Sequence, residues 1–175
     1  MVRPEDVPLK LEPLRHDVLD LVRAVLDAAD AARLVAAALD ERTVADLSSS
    51  RSFNLVALGK AAPRMVSGFL SRVRSGLREG LVAGTHLDAD LPGSLRWIEA
   101  GHPVPTAASE EAGREALRLA ASVSPGETLV VLISGGGSAL LAAPVEGLTL
   151  ASKQEVTRRL LLAGADIHSL NAVRK

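Results

Sequence analysis

Apolar residues recur three and four positions apart in several stretches of the chain, which is the spacing of one face of a helix. Leu14, Val18, Leu21 and Val25 begin this pattern, and Asp30 can cap the helix that follows them. Ser152 and Glu155 match a capping box, and Gly164 is a suitable stop. The predicted helices are 14–29, 31–39, a stripe from Met65 to Leu77, a helix from Thr106 to Val123, and 153–163, with a further element from Ile167.

Four short apolar runs have a different pattern, because their apolar residues are consecutive. We predict strands at 53–59, 80–86, 95–100 and 128–133, and a polar loop at "LSSSRS" (47–52). Continuous apolar runs are typical of parallel strands buried on both faces. Strands that alternate with helices indicate an α/β fold with a parallel sheet. In such sheets, ligands bind beyond the carboxyl ends of the strands.

Composition narrows the functional classes. The 175 residues include 20 basic and 21 acidic side chains, so no charge excess suggests a nucleic-acid partner. There is no cysteine, which excludes disulfides and thiolate metal sites. No apolar run approaches the roughly 18 residues that a membrane helix needs, and the N-terminus does not resemble a signal peptide. We therefore expect a soluble, cytoplasmic protein without a membrane or nucleic-acid partner.

The sequence "SGGGSAL" follows the last predicted strand and marks a candidate anion site. A strand, a glycine turn and a helix start direct backbone N–H groups to one point, where the helix dipole favours an anion. Gly135, Gly136 and Gly137 would let an oxygen approach the backbone without meeting a Cβ. Ser134 and Ser138 could add hydroxyl donors. One glycine would suffice for a simple turn, so three in a row favour the anion site.

Lys60, in "ALGKAAPRM", is the second candidate. It stands where a predicted strand ends and a helix begins, and Pro63 suits the first turn of that helix. The helix dipole disfavours a cation there, so a ligand would explain the lysine better than solvent does. An ammonium on a flexible stem suits a phosphoryl group or a carboxylate. If the two strands are neighbours, Lys60 lies beside the glycine loop.

The standard loop motifs do not fit. The dinucleotide fingerprint and the hydrolase nucleophile elbow both need glycine where Leu140 stands, and Walker A needs Ser or Thr where Ala61 stands. His102, in "GHPVPT", could be an acid, a base or a ligand, although a packed histidine is the more common case. Two rival interpretations stay open. One is a serine hydrolase with Ser138 as nucleophile and His102 as base, and the other is a non-catalytic anion- or nucleotide-binding α/β module.

Taken together, "ALGKAAPRM", "GHPVPT", "VLISGGGSALL" and "LLLAGADIHSLNAVRK" resemble, in order, the N-terminal part of glycerate 2-kinases of the MOFRL-containing type. Members of this family are also labelled hydroxypyruvate reductases. The resemblance implies a Rossmann-like three-layer α/β/α fold with a mainly parallel sheet. It also implies ATP and Mg²⁺ as cofactors, D-glycerate as the acceptor, transfer to its 2-hydroxyl, and a cleft against a second domain. A homodimer is one oligomeric state expected of the full-length protein.

The resemblance assigns residues by position. Lys60 matches the family's active-site lysine, and Gly135, Gly136, Gly137 and Ser138 match its glycine loop. The start of the family's next motif is matched by Asn171, Arg174 and Lys175. The resemblance identifies no general base, and Asp166 and His102 are weak candidates. Since the family continues past "NAVRK", we expect 1–175 to be an incomplete, inactive part of the kinase domain, without the C-terminal domain.

Overall fold

The computed structural model describes residues 11–174 of the chain. Its strands are β1 (Phe53–Leu58), β2 (Leu77–Gly84), β3 (Leu95–Glu99) and β4 (Thr128–Ile133). Its helices are α1 (Leu11–Ala28), α2 (Ala31–Ala38), α3 (Glu41–Ser49), α4 (Ala62–Arg72), α5 (Ala107–Ala121), α6 (Gly137–Leu140), α7 (Leu150–Leu162) and α8 (Ile167–Arg174). The strands form one parallel sheet in the order β3-β2-β1-β4. The predicted α/β fold with a parallel sheet is confirmed.

Alternate residues of the strands build two cores, one on each face of the sheet. On one face, Phe53, Leu55 and Val82 pack with α4, and Leu47 of α3 joins them. On the other face, strand side chains pack against Ala112 and Leu119 of α5. Helices therefore cover both faces, which makes the three layers expected of the fold.

Two boundary predictions before β3 are wrong, each for a local reason. The segment predicted as the loop 47–52 begins inside α3, a helix that the apolar pattern did not reveal because only Leu47 of it is buried. Asp40 caps that helix by accepting from the N–H of Thr43, at 2.7 Å. Leu77 belongs to β2 rather than to the preceding helix, since Gly76, with φ of 88°, turns the chain before it.

The start of α7 also differs from the prediction. Thr149, not Ser152, is the N-cap, and its hydroxyl oxygen accepts from the N–H of Ser152 at 3.1 Å. The predicted stop is confirmed, because Gly164 adopts a φ of 67° directly after the helix. The N–H groups of Gly164 and Ala165 then satisfy the last carbonyls of α7.

The prediction that all four strands are buried is wrong for β4. None of its residues is fully buried, and Val131 and Ile133 are 45% and 68% exposed. The reason is its position: β4 is an edge strand, and within residues 11–174 no further strand pairs with its outer side. An edge strand keeps unpaired backbone groups and open side-chain faces.

A partly buried polar network joins the strands at the end of the sheet opposite their carboxyl ends. Asn54 donates to the Leu119 carbonyl at 3.0 Å and accepts from Arg78 Nε at 3.1 Å. Arg78 also contacts both carboxylate oxygens of Glu127 at 2.8 Å. The backbone N–H of Ser124 and the Ser52 hydroxyl bind the same carboxylate, and these hydrogen bonds, with Arg78, lower its pKa. The network anchors the start of β4 to its neighbours.

Among the described helices, none combines the length and the apolar character needed to cross a membrane.

Candidate functional site at the crevice between β1 and β4

The strand order identifies the place where a ligand should bind. From β1 the chain passes through α4 to β2 on one side, whereas β4 joins β1 on the other side. The direction of winding therefore changes between β1 and β4. In open α/β sheets, ligands bind at such a switch point, beyond the carboxyl ends of the strands. The loops that leave β1 and β4 there are the two that the sequence singled out.

Backbone hydrogen bonds tie these two loops together. The Lys60 N–H donates to the Gly135 carbonyl at 2.9 Å, and the Ser134 N–H donates to the Leu58 carbonyl at 2.9 Å. The Ser134 hydroxyl accepts from the Ala61 N–H at 3.1 Å. Lys60 and the glycine loop are thus neighbours, as the sequence predicted on the condition that their strands pair.

Ser134 makes a hydrogen bond that the sequence did not predict. Its hydroxyl oxygen accepts from Ala61, which is the N-cap of α4 and has no side-chain cap of its own. The same hydroxyl lies 3.4 Å from the Leu58 carbonyl. Ser134 therefore caps α4 from the neighbouring strand, while its contact with a ligand stays a prediction. The sequence held no signal for this bond, because the partners are far apart in the chain.

The three glycines of the loop have different surroundings. Gly136 has a φ of 93°, and a Cβ there would lie 2.9 Å from Cδ2 of His102. A Cβ on Gly137 would lie 2.9 Å from Cδ1 of Leu58. Gly135 faces open space, with nothing within 4 Å of an added Cβ. Gly136 is thus required by the turn, and a side chain on Gly137 would need Leu58 to move, so the run of three does not by itself indicate an anion.

A fourth glycine, Gly59, was not singled out as a site residue but shapes the site. Its φ is 119°, and an added Cβ would lie 2.1 Å from the Ser134 hydroxyl oxygen and 2.7 Å from the Ser134 backbone. Only glycine lets the β1 loop approach the β4 loop this closely. Its place directly after a buried apolar run is the signal that could have identified it.

Backbone donors are available at the glycine loop. The N–H groups of Gly135, Gly136, Gly137 and Ser138 donate no hydrogen bond to another residue of the described chain. These four consecutive groups lie where β4 ends and α6 begins, with the exposed Lys60 on the adjoining loop. Unpaired N–H groups beside a lysine form an environment in which an anion is stabilised.

The segment between β3 and α5 closes another side of this crevice. His102, which the sequence left undecided, lies against Gly136, and the His102–Pro103 peptide is cis. The segment is fixed by Ser109, whose hydroxyl accepts from the N–H groups of Gly101 and Thr106 at 3.1 and 2.9 Å. Ser109 is fully buried, so this anchor is shielded from water.

The remaining predicted site residues belong to the end of the chain. Asn171 and Arg174 lie in α8, which packs on α7, and Asn171 is half-buried. Lys175 lies outside the described residues. Helix α7 approaches the crevice through Gln154, whose amide donates to the Pro105 carbonyl at 2.9 Å. The structure thus brings Lys60 and the glycine loop together, while a role for α8 stays a prediction.

Asp166, a weak candidate for the general base, and Ser138, the nucleophile of the rival hydrolase, can be judged from their surroundings. Asp166 caps α8 by accepting from the N–H groups of His168 and Ser169 and from the Ser169 hydroxyl. The bonds from Ser169 contribute most to lowering its pKa, which makes Asp166 a weaker base. Ser138 is exposed and makes no hydrogen bond to another described residue, so a Ser–His pair is not formed.

Residues 11–174 offer no group of three or more His, Asp or Glu side chains that could hold a metal ion. No metal site is therefore assigned to the described side chains. A magnesium ion bound to a nucleotide often takes most of its ligands from phosphate and water, so this concerns only a protein-built site.

Comparison with known proteins supports the resemblance noted in the sequence. The chain is 33% identical over 165 residues to a D-glycerate 2-kinase of Thermotoga maritima, a match covering 94% of this chain and 38% of that protein. It is 40% identical over 122 residues to an Agrobacterium vitis protein named provisionally as a hydroxypyruvate reductase, covering 69% of this chain and 31% of the relative. The chain thus spans well under half the length of these relatives.

The fold agrees with a solved structure as well. A glycerate kinase from Thermotoga maritima superposes with a TM-score of 0.75 at 33% sequence identity, over 94% of this chain and 38% of that one. A family model described as "Domain of unknown function (DUF4147)" matches residues 17–175. Because that match covers nearly all of the sequence, the chain belongs to the DUF4147 family.

Proposed function

We propose that the chain supplies the phosphate-binding part of a glycerate 2-kinase, which transfers the γ-phosphoryl group of ATP to the 2-hydroxyl of D-glycerate. The observation that carries this proposal is the backbone hydrogen bond from Lys60 to Gly135, which places Lys60 next to the loop with unpaired N–H groups at 135–138, at the switch point of the sheet. This site lies in a chain that matches a D-glycerate 2-kinase over 94% of its length. Use of ATP favours the cytoplasm as its compartment.

The chemistry of this site suits phosphoryl transfer. The transferring group spreads negative charge over its equatorial oxygens, and catalysis consists mainly of positioning and charge stabilisation. The loop N–H groups would hold phosphate or carboxylate oxygens, and the Lys60 ammonium would neutralise charge on the transferring group. Arg174, whose position in the family motif suggests it, would add a second cation. Mg²⁺ enters as the counter-ion of the ATP phosphates.

A first experiment measures binding of ATP to the 175-residue chain by calorimetry. Lys60→Met keeps the length of the stem and removes the charge, so it should weaken binding about tenfold, as the loss of a charge-assisted contact does. Arg51→Met is the matched control, because Arg51 is an exposed cation just before the opposite end of β1. Equal affinity of Lys60→Met and wild type would remove Lys60 from the site.

Turnover is tested by replacing the aligned segment of the Thermotoga maritima D-glycerate 2-kinase with this chain. We expect ADP release that depends on D-glycerate, and formation of 2-phosphoglycerate. Lys60→Met in this chimaera should lower kcat by about 10²-fold, equivalent to about 2.7 kcal/mol of transition-state stabilisation. A folded chimaera that binds ATP and releases no ADP would contradict the proposal.

The name of one relative suggests hydroxypyruvate reduction as an alternative to kinase activity. A reductase needs a nicotinamide site, and the dinucleotide fingerprint would need glycine at position 140, where Leu140 is fully buried. We therefore expect no NADH oxidation when hydroxypyruvate is added to the chimaera. NADH oxidation without ADP release would favour the reductase. ATP binding without either reaction would favour a non-catalytic nucleotide-binding module.

A further inference from the structure

The His102 imidazole lies against the apex of the glycine loop. A Cβ built on Gly136 would lie 2.9 Å from Cδ2 of His102 and 3.3 Å from Nε2. The ring therefore presents its Cδ2–Nε2 edge to the Cα of Gly136. Gly136 is also the residue whose φ of 93° turns the loop from β4 into α6. The ring thus lies beside Gly136, one of the four residues whose N–H groups donate to no other described residue.

The segment that carries His102 is held firmly although it has no regular secondary structure. The Ala100 N–H donates to the Gly84 carbonyl at 2.8 Å, which fixes the segment to the end of β2. Gly101 and Thr106 both donate to the buried Ser109 hydroxyl, so one side chain closes the turn. A Cβ on Gly101 would lie 2.6 Å from the Val104 carbonyl, which shows how tight the turn is. A histidine carried on such a segment is positioned rather than loosely tethered.

We infer that His102 contacts, through Nε2, the anion that the glycine loop and Lys60 hold. An imidazole N–H is a good donor to a phosphate or carboxylate oxygen. Three elements then converge on the ligand: the loop after β1, the loop after β4 and the segment after β3. This inference rests on the proposed anion site. It adds a binding residue from a segment that is distant from the other two loops along the chain.

The test uses NMR on the 175-residue chain with ¹⁵N-labelled histidine and glycine. Inorganic phosphate and D-glycerate are added in separate titrations, so that phosphate and carboxylate chemistry are distinguished. We expect the Nε2 resonance of His102 and the amides of Gly135–Gly137 to move together with one dissociation constant. His16, an exposed residue of α1, is the internal control and should not move.

The outcomes separate this inference from the proposed function. If the loop amides move and His102 does not, His102 is no ligand contact, while the anion site stands. If neither anion nor ATP moves the loop amides, both proposals are overturned. If His102 moves alone, the ring binds anions without the loop, which contradicts the shared site.

Variants add a second measurement. His102→Ala should weaken phosphate binding about tenfold, because a hydrogen bond to a charged group is lost. His102→Gln retains an N–H donor and should bind within about threefold of wild type. His16→Ala is the matched control. Wild-type affinity in a folded His102→Ala protein would overturn the inference.

Discussion

Strands β1 and β4 are neighbours of equal length and similar sequence, yet they differ in burial. Both are runs of six mostly apolar residues, "FNLVAL" and "TLVVLI", paired in parallel. Val56 and Val131 are partners in register, and they are 4% and 45% exposed. An apolar run therefore indicates a strand, while its burial depends on whether other elements flank it. The same substitution should therefore affect stability differently in β1 and in β4.

The largest effect on stability is expected in the core between α4 and the sheet. Phe69 of α4 is buried and packs edge-to-face on Phe53 of β1, with the ring centroids 5.7 Å apart. Phe69→Ala should lower the free energy of unfolding by about 3–5 kcal/mol. Urea denaturation followed by circular dichroism measures this, with the exposed Leu162→Ala as control. A loss below about 1 kcal/mol would show that this core closes around the cavity left by the missing ring.

The paired valines give the sharpest test of the comparison. Val56→Ala should cost about 2 kcal/mol, because two buried methyl groups are removed and a cavity is left. Val131→Ala makes the same chemical change at the same register and should cost less than about 0.5 kcal/mol. Equal losses in the two variants would mean that the edge of the sheet is covered in solution.

Glu127 tests what holds the edge strand to the sheet. Hydrogen bonds from Ser124 and Ser52, with Arg78, lower its pKa in the folded chain. The carboxylate therefore contributes stability above its unfolded pKa of about 4.3, and this contribution is lost as the pH falls through the folded pKa. Glu127→Gln should flatten the loss of stability below about pH 4.5 in urea midpoints measured between pH 7 and 3. The exposed Glu146→Gln should retain the steeper wild-type dependence.

The smallest change in stability is expected from a charge on the open edge. Val131 and Ile133 expose apolar surface beside unpaired backbone, which favours dye binding and association. Val131→Lys should reduce both ANS fluorescence and self-association, with a change in stability below about 0.5 kcal/mol. Leu162→Lys, at an exposed leucine in α7 rather than on the sheet edge, should leave association unchanged. Sedimentation velocity would contradict this prediction if both variants associate equally.

The site was predictable to the extent that its residues follow strands. Lys60 and Gly135–Gly137 could be placed together because the carboxyl ends of parallel strands share one edge. The reasons for the individual glycines could not be predicted. Gly136 meets His102 and Gly137 meets Leu58, and these contacts join residues distant in sequence. The cross-strand cap made by Ser134 was missed for the same reason.

The helices likewise have some features that the sequence predicted and others that it did not. Asp30 and Gly164 were assigned correctly, because a cap or a stop acts on the residues next to it. Helix α3 was missed because only Leu47 of it is buried, so it lacks a broad apolar stripe. At α7, the capping-box pattern at Ser152 and Glu155 indicated a start three residues beyond the true cap, Thr149. Local patterns identify an element well and its ends less well.

Short-range periodicity and backbone preference depend on adjacent residues. They were therefore enough to predict the alternation of strands and helices, and they placed a glycine loop and a lysine at strand ends. The tertiary structure decided the strand order, and with it the switch point between β1 and β4. It also decided that β4 is an edge strand and that His102 lies against the glycine loop. These features depend on contacts between distant segments, whose partners are set only when the whole sheet packs.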